Sequence, residues 1–400
     1  MTTSNRRDFL KSAAIAGTAA GAGLTISDLF QRRIFAAEST LKNKVVYRTL
    51  GSTGCKVTEI GFGAMNMRDP ELVQAALDSG VNYFDTAHEY MNGVNETTVG
   101  KVVKPVRNTI FLTTKVPSGS PKNMMAKMEL SLKRLQTDHA DLMLLHGVDS
   151  RNAVLNNDFM KVIDEARKKG MTRFIGVSTH ENHAAVMDAA VESKLWQVVL
   201  VGYNYMSPPS VKAAIARTHK AGLGIVGMKN LLNPIDLATW NWEHIRDIRT
   251  DKKEKITPTQ ALLKWVLDDP NVDTIVPGVT SFEQLAEDVA IMGMKMSFFD
   301  RRELSRYAEA VDSDSGYCRG AAGCTGCQGQ CPNCVEICEL NRCVRYAYGY
   351  GDIGLARENY ARLPVSSRVE ACGGCDECLV RCVHGLDLTQ TVREARALFG

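Results

Sequence analysis

The sequence predicts an α/β fold in which a closed (β/α)8 TIM barrel is followed by a small, cysteine-rich, α-helical domain. In the middle of the 400-residue chain, short apolar runs alternate with longer amphipathic segments, which is typical of parallel strands joined by helices. Eleven of the twelve cysteines fall between Cys318 and Cys382, which indicates a separate module. We therefore expect an N-terminal signal over residues 1–37, the barrel over residues 44–311 and the cysteine-rich domain over residues 312–400.

Eight strand-like runs favour a closed barrel. In chain order they are Thr58–Gly61, Val81–Phe84, Thr109–Thr114, Asp141–Leu145, Arg173–Val177, Val198–Tyr203, Gly224–Gly227 and Thr274–Val276. The helix-like segments between them include Lys122–Leu135, Phe159–Lys169, Asn182–Glu192, Pro209–Ala221 and Pro258–Leu267. An open, doubly wound sheet alternates in the same way, but no glycine-rich dinucleotide fingerprint follows the first strand.

The overall composition bears on the class of partner. The formal net charge is +3, so the chain lacks the basic footprint of a nucleic-acid-binding protein. No segment is apolar over the length of an ordinary membrane-spanning helix. We therefore expect no nucleic acid as a partner, and membrane association only through the N-terminal segment or through a partner.

The N-terminus resembles a twin-arginine export signal. SNRRDFLK at residues 4–11 precedes an Ala/Gly-rich, weakly hydrophobic run and the small pair Ala36-Ala37. The alternative is a basic, disordered arm ahead of an amphipathic helix. Because the twin-arginine route moves folded proteins, a metal cofactor inserted in the cytoplasm can travel with the chain. The expected location is the periplasm, or the membrane surface if the signal is retained as an anchor.

Polar side chains follow three predicted strands at the ends where barrel enzymes place their chemistry. Asp85 and Tyr90 follow the second strand, Lys115 the third and His146 the fourth. Hydride addition to a carbonyl produces an alkoxide, to which Tyr90 could donate a proton as general acid. A neighbouring Lys115 cation would lower the phenol pKa from its usual value of about 10. Asp85 would orient Lys115, and His146 would hydrogen-bond the substrate oxygen.

These residues, in their sequence context, resemble the aldo-keto reductases. The matching segments are FDTAHEY at residues 84–90, TK at 114–115, LH at 145–146, YRTLG at 47–51, FIGVS at 174–178 and IVPG at 275–278. The resemblance covers most of residues 44–295 and implies a nicotinamide-dependent oxidoreductase that reduces a carbonyl compound or oxidises an alcohol. It identifies Asp85, Tyr90, Lys115 and His146 as the catalytic tetrad. Taken singly, Lys115 could be a solvated strand end, but four matches in order weaken that alternative.

The resemblance also implies an NAD(P)H site. The residues assigned to the nicotinamide half are Ser178 and Thr179 for the carboxamide, and Met228, Lys229 and Leu231 for the ring and the pyrophosphate. Two positions depart from the family pattern, since Leu200 stands where many members have Gln and Met228 where many have a stacking Tyr. A methionine sulfur can still pack against a ring. Loss of nicotinamide binding therefore stays an open alternative.

The adenosine half is assigned to Gly278, Glu287 and Asp288 by the same resemblance. Many members hold the 2′-phosphate of NADP with Lys or Arg, because a phosphate favours a paired cation. The segment GVTSFEQ at residues 278–284 contains neither. The sequence therefore does not predict the family's common NADP preference, and NAD(H) competes with NADP(H) as the expected cofactor.

Two cysteine runs in the C-terminal domain have ferredoxin-type spacing. The second run is C-x2-C-x2-C-x3-C, formed by Cys372, Cys375, Cys378 and Cys382. The first run is a looser C-x5-C-x2-C-x3-C-P, formed by Cys318, Cys324, Cys327 and Cys331. We expect these eight thiolates to bind two 4Fe–4S clusters in a ferredoxin-like domain, in which the last cysteine of a run commonly ligates the other cluster.

The ligand set of the first cluster is open at one position. Cys334, Cys338 and Cys343 lie outside the two runs, and any of them could replace Cys318. Between the runs, Val344–Leu363 is rich in Tyr, Ala and Arg and is predicted to be a helical connection.

The cysteines could also serve in three ways that do not involve two clusters. A single cluster is one of them, and structural zinc, held by Cys324 and Cys327 together with Cys372 and Cys375, is another. Disulfides are the third, although they need no regular spacing and twin-arginine export removes their main motivation. Clusters could also stabilise the tail without moving electrons.

Two functions from different classes remain. The first is an aldo-keto reductase-like enzyme with hydride chemistry at Tyr90. The second is an electron-transfer subunit, whose barrel is a docking scaffold for an electron-transfer partner. Nicotinamide carries two electrons as hydride, whereas each cluster passes one, so the two domains would need a mediator to exchange electrons. We expect the segment Asn230–Lys255, with Trp240 and Trp242, to shape the substrate pocket.

Overall fold

The chain divides into two compact units. The computed structural model describes residues 45–231, 249–250, 254–255, 257–298, 300–302, 304–305, 318, 324, 326–348, 353–373, 375 and 378–400. One unit takes in the chain up to Gly202, together with Ser210–Asn230 and Val266–Lys295. The other takes in Tyr203–Pro209, Leu231–Trp265 and Met296–Gly400. The predicted signal, Trp240 and Trp242, and the predicted domain boundary lie outside the described residues.

The first unit contains an eight-stranded parallel sheet that closes into a barrel. Its strands are β3 (Phe62–Gly63), β4 (Tyr83–Asp85), β5 (Phe111–Pro117), β6 (Ala140–His146), β7 (Thr172–Thr179), β8 (Val198–Gly202), β9 (Gly224–Met228) and β12 (Thr274–Ile275). They follow one another in chain order around the sheet. Parallel bridges from Ile60 to Ile275 and from Gly63 to Gly278 join its two edges. The TIM barrel predicted from the alternation is confirmed.

An antiparallel hairpin precedes the barrel and was not predicted. It consists of β1 (Tyr47–Thr49) and β2 (Lys56–Thr58). A second short hairpin, β10 (Arg249–Thr250) with β11 (Glu254–Lys255), belongs to the other unit.

Helices follow most of the strands. They are α1 (Pro70–Asp78), α2 (Val94–Val103), α3 (Pro121–Leu135), α4 (Arg151–Val154), α5 (Asn157–Lys168), α6 (His183–Ser193), α7 (Pro209–Lys220), α8 (Pro258–Leu267) and α9 (Phe282–Val289). Local chemistry fixes their ends. Helix α3 begins after Ser120, whose hydroxyl accepts the Asn123 N–H, and has Pro121 in its first turn. The five helices predicted here are present to within two residues at each end.

One strand prediction is correct in part. Within Thr58–Gly61, Ile60 bridges in parallel to Ile275 as expected of the first barrel strand, but Thr58 ends the hairpin and the strand of the sheet is Phe62–Gly63. The Thr58 N–H donates to the side-chain oxygen of Asn82 at 2.8 Å. Because that N–H is already bonded to a side chain, Thr58 does not join the parallel ladder.

The tail in the second unit is a small helical domain. It contains α10 (Ile337–Tyr348), α11 (Ile353–Arg362) and α12 (Leu388–Phe399). Leu340 and Val344 of α10 and Val392 of α12 share one buried apolar cluster. The predicted helical connection Val344–Leu363 is confirmed, and it contains the end of α10 and the whole of α11. None of the helices in the described part of the chain has both the length and the apolarity needed to cross a bilayer.

Candidate active site and cysteine cavity

Lys115 lies at the centre of a buried polar cluster. Its Nζ donates to Asp85 Oδ2 at 2.6 Å, to the Thr86 carbonyl oxygen at 2.8 Å and to Tyr90 Oη at 3.0 Å. Lys115 is 1% exposed and Asp85 is 4% exposed. Three acceptors satisfy the three N–H groups of one ammonium, so the phenol and the amine are held together in a fixed arrangement.

Three neighbouring strands bring these groups together. Asp85 ends β4 and His146 ends β6, as predicted, and Tyr90 begins a short 3-10 turn that runs to Gly93. The prediction that the third strand ends at Lys115 is wrong. Strand β5 continues to Pro117, which pairs with His146 in the β5–β6 ladder, because the residues after Lys115 still fit the parallel sheet.

The environment keeps Lys115 charged. Burial by itself lowers the pKa of its amine, but the Asp85 carboxylate and the Tyr90 hydroxyl outweigh burial and raise that pKa above its ordinary value. Lys115 is therefore an ammonium at neutral pH. Burial raises the pKa of Asp85, and the Lys115 cation opposes that rise. A buried charge that is paired and hydrogen-bonded in this way is the arrangement that proteins tolerate.

His146 lies beside the Tyr90 ring and is neutral. The two rings meet edge to face, with centroids 5.9 Å apart. Burial lowers the pKa of His146 below its ordinary value, although the nearby Glu89 opposes this. His146 Nδ1 lies 3.6 Å from Glu89 Oε2. Glu89 was not predicted as a site residue, and its position directly before Tyr90 was the one signal available in the sequence.

Ser178 and Thr179 lie at the end of β7, where the resemblance puts the carboxamide contacts. Both are fully buried. The Ser178 Oγ accepts a hydrogen bond from the Gly147 N–H at 3.0 Å. Thr179 Oγ1 donates to the Glu181 carbonyl oxygen at 2.5 Å, so its hydroxyl stabilises the turn that follows the strand.

Leu200 and Met228 both belong to the apolar cluster of the barrel. Leu200 is fully buried and pairs in register with Ser178, so an apolar side chain stands beside the predicted carboxamide contact. Met228 ends β9, and Lys229 follows it with a left-handed backbone, at a φ of 52°. Leu231 belongs to the other unit.

The residues predicted for the adenosine half lie after β12 and on α9. A Cβ added at Gly278 would meet no atom within 4 Å, so this position faces open space. Glu287 and Asp288 lie on α9. Asp288 is 3% exposed, and burial, followed by the nearby Glu287, raises the pKa of its carboxyl well above the ordinary value.

One cavity of the second unit is lined by cysteines of both runs. These residues are Cys318, Cys324 and Cys327 of the first run, Cys382 of the second run, and Cys338. The Cys338 thiol contacts those of Cys318 and Cys327. Cys334 is exposed and Cys343 is fully buried in the apolar core. Of the three alternatives to Cys318, Cys338 is thus the one that lies at the cavity.

Three further cysteines of the two runs form a second group. Cys378 lies near Cys372 and Cys331, and all three pack against the core of the tail. The last cysteine of each run therefore lies near cysteines of the other run. Among the described residues, no three His, Cys, Asp or Glu side chains are arranged to hold a single metal ion. Of the four cysteines of the zinc alternative, Cys324 and Cys327 line the described cavity and Cys372 and Cys375 do not.

The barrel has many relatives of known structure. Aldo-keto reductase AKR11C1 from Bacillus halodurans, in its holo form, superposes with a TM-score of 0.56 at 22% identity, covering 66% of this chain and 96% of that one. An aldo/keto reductase from Klebsiella pneumoniae in complex with NADP and acetate gives a TM-score of 0.56 at 23% identity, with 65% and 94% covered. At these identities the likeness shows the shared barrel fold.

Related sequences identify the family of the chain as well as its fold. Methylglyoxal reductase DkgB of Salmonella typhi is 27% identical over 258 residues, which cover 62% of this chain and 92% of that protein. The uncharacterized oxidoreductase YqkF of Bacillus subtilis (strain 168) is 25% identical over 276 residues, covering 60% and 89%. The model of the Aldo/keto reductase family matches residues 59–303, more than half of the chain. The chain therefore belongs to the aldo/keto reductase family and is an oxidoreductase of that type.

Proposed function

We propose that this chain reduces a small carbonyl compound, or oxidises the corresponding alcohol, with a nicotinamide cofactor and with Tyr90 as general acid and base. The observation that carries the proposal is the position of Lys115 Nζ, 3.0 Å from Tyr90 Oη and 2.6 Å from Asp85 Oδ2. A cation at hydrogen-bond distance favours the tyrosinate, which makes the phenol a better proton donor near neutral pH. The relative named methylglyoxal reductase supports a small carbonyl substrate.

The proton transfer follows from these contacts. Tyr90 Oη and the neutral His146 would hold the substrate oxygen. A reduced nicotinamide, when bound, supplies the hydride that adds to the carbonyl carbon. As the carbonyl bond opens and negative charge develops on its oxygen, Tyr90 passes its phenolic proton to that oxygen, and the product is an alcohol. Lys115 stabilises the tyrosinate that remains, and Asp85 balances the charge of Lys115.

The residues at the strand ends fit a nicotinamide dinucleotide. Ser178 offers a buried hydroxyl, and Gly278 leaves open space where a side chain would stand. Thr179, Met228 and Lys229 would complete the nicotinamide half, and Glu287 and Asp288 the adenine half. The Klebsiella structure with NADP supports this class of cofactor. The missing cation in residues 278–284 leaves NAD(H) and NADP(H) both as candidates.

Replacement of Tyr90 by Phe tests the assignment. Because general acid catalysis contributes roughly 10²- to 10⁴-fold, we expect carbonyl turnover by Tyr90→Phe to fall by that factor. The visible absorbance of the iron–sulfur clusters proposed below for the cysteine-rich tail should stay the same. The assay measures anaerobic oxidation of NADH or NADPH with methylglyoxal as the carbonyl probe. Tyr47→Phe is the matched control, since Tyr47 is 49% exposed. Unchanged turnover by Tyr90→Phe would contradict the role of Tyr90.

We also propose that the tail binds two 4Fe–4S clusters. The grouping of the cysteines supports this, because a cubane needs four thiolates and the soft thiolate ligand suits iron–sulfur chemistry. One cluster would be held by Cys318, Cys324, Cys327 and Cys382, and the other by Cys331, Cys372, Cys375 and Cys378. The clusters, when bound, would supply one-electron transfer or stabilise the fold of the tail.

A second candidate function is an electron-transfer subunit with the barrel as scaffold. The buried Leu200 and Met228, which replace the residues that many family members use for nicotinamide, favour it. The intact tetrad favours the enzyme, because a scaffold has no need of four converging polar groups. If the wild-type chain binds iron but turns over no carbonyl with either nicotinamide, the scaffold is the better description.

The proposed location is outside the cytoplasm. The SNRRDFLK segment at residues 4–11 supports twin-arginine export with the clusters already inserted. The chain would then reside in the periplasm, or at the membrane if the signal is retained.

A further inference from the structure

The turn that carries Tyr90 has a costly backbone. Met91, Asn92 and Gly93 are three consecutive residues in the left-handed region, with φ of 51°, 53° and 87°. For a residue other than glycine this conformation is unfavourable, because the Cβ comes too close to the following carbonyl oxygen. Such a turn persists only where neighbouring groups hold it, so the contacts of this turn bear on the position of the Tyr90 phenol.

Arg134 on α3 holds the turn at both of its ends. Its Nη1 donates to the His88 carbonyl oxygen at 3.0 Å, two residues before Tyr90. A Cβ added at Gly93 would lie 2.1 Å from the Arg134 Cζ, so the guanidinium packs directly on the glycine backbone. Ser131 of the same helix hydrogen-bonds the His88 ring at 3.0 Å.

Glu96 connects Arg134 to the strand that carries Lys115. It is fully buried, and its Oε2 lies 3.3 Å from Arg134 Nη1. Its Oε1 accepts a hydrogen bond from Thr114 Oγ1 at 2.7 Å, and Thr114 directly precedes Lys115. One carboxylate thus contacts β5 on one side and, through Arg134, the Tyr90 turn on the other.

We propose that the Arg134–Glu96 ion pair is a positioning device that sets the distance between Tyr90 Oη and Lys115 Nζ, and with it the acidity of the phenol. The proposal rests on the proposed role of Tyr90 as general acid. Arg134 and Glu96 are positioning residues, because they act through the backbone of the turn and through Thr114.

The test uses variants of the full chain. Arg134→Gln alone leaves a buried carboxylate unpaired, which destabilises proteins strongly, so the double variant Arg134→Gln/Glu96→Gln removes both charges. We expect the double variant to lose roughly 10²-fold in kcat, the order of loss that a misplaced catalytic group produces, with an unchanged KM for the nicotinamide. Arg134→Lys keeps the charge but not the planar fork and should recover only part of the loss. Lys133→Gln, an exposed change on the same helix, is the control.

The pH profile distinguishes positioning from mere stability. When Lys115 no longer lies close to Tyr90, the phenol pKa rises, so the fall in reduction rate at alkaline pH should move to higher pH in the double variant. A double variant that keeps the wild-type kcat and pH profile would overturn the proposal.

A second readout needs no substrate. The absorbance titration of each protein minus that of its Tyr90→Phe counterpart reports the Tyr90 phenol alone, and we expect its midpoint to rise in the double variant. If the wild-type chain turns over no carbonyl, the proposed function fails while this titration still tests the positioning. A loss of thermal stability without any change in that midpoint would show a purely structural role and reject the inference.

Discussion

Burial and pairing together decide the charge of single residues in the barrel. Lys115 stays charged because Asp85 lies 2.6 Å away, whereas burial outweighs Glu89 at 3.6 Å from His146 and lowers the His146 pKa. Burial also lowers the pKa of His183, and by a larger amount. His183 is 5% exposed, its Nε2 has no hydrogen-bond partner within the described residues, and burial, helped by the Lys229 cation, lowers its pKa to about 4. An unpaired buried histidine must therefore be neutral in the folded chain.

This predicts an acid-sensitive fold. His183 has an ordinary pKa of about 6.5 in an unfolded chain, so below that pH the unfolded state binds the extra proton and the folded state does not. Stability should fall by roughly 1.4 kcal/mol per pH unit as the pH drops below 6.5, and should stop falling near the folded pKa of about 4. Thermal unfolding of the wild type and of His183→Asn, between pH 7 and 5, measures the difference. Parallel curves for the two proteins would reject this origin, and His139→Asn, at a part-exposed histidine, is the control.

Closure of the barrel depends on backbone contact between elements. Gly63 pairs with Asp85 in the β3–β4 ladder and bridges to Gly278 at the other edge. Arg48 of β1 reinforces the same junction, donating to Glu59 Oε1 at 2.9 Å and to the Val272 carbonyl oxygen at 2.7 Å. Strand β3 thus supports β4, the strand that ends at Asp85.

A methyl group at Gly63 should open this junction. The added Cβ would lie 2.5 Å from the Pro277 carbonyl oxygen and 2.8 Å from that of Val276, and backbone atoms cannot turn away as a flexible side chain can. We expect Gly63→Ala to lower the free energy of unfolding by about 3 kcal/mol, the upper part of the range for overpacking. Urea unfolding followed by far-UV circular dichroism measures it. Gly119→Ala, whose Cβ would meet nothing within 4 Å, should be nearly neutral, and equal effects at both sites would refute the argument.

At the scale of the whole molecule, an aldo/keto reductase barrel is joined to a tail whose cysteines are brought together from two distant runs. Cys382 lines the cavity formed with the first run, and Cys331 and Cys372 both lie near Cys378. If each group holds one cluster, loss of a single crossing cysteine should affect one cluster and spare the other.

Iron analysis tests this exchange of ligands. We expect Cys382→Ser and Cys331→Ser each to lose about half of the bound iron and labile sulfide after anaerobic purification, because each removes one thiolate from a different four-thiolate set. Their electron paramagnetic resonance spectra after reduction should retain different signals. Cys334→Ser, at an exposed cysteine away from the cavity, is the control. Full iron content in both crossing variants would contradict the assignment.

Much of the fold and of the tetrad could be predicted from the sequence. Strand and helix periodicity are local properties of the chain, so the alternation that forms the barrel is visible without its structure. Asp85, Tyr90, Lys115 and His146 were selected because they follow buried runs, and the carboxyl ends of barrel strands meet on one face. The resemblance to the aldo-keto reductases then identified the four residues as a tetrad. The two cysteine runs were visible for a similar reason, since their spacing is short and regular.

The tertiary structure alone decided how distant residues combine. No spacing relates Glu96 to Arg134, or Cys382 to Cys318, because side-chain contacts between elements depend on packing and not on separation along the chain. The left-handed turn after Tyr90 follows from such contacts. The charges of Lys115 and His183 follow from them too, since at each residue they decide whether burial or charge pairing has the larger effect on the pKa. The sequence by itself determined the barrel, the four polar residues near its strand ends and the cysteine runs. Packing decided which of their neighbours hold them in place, because burial and charge pairing exist only once the chain is folded.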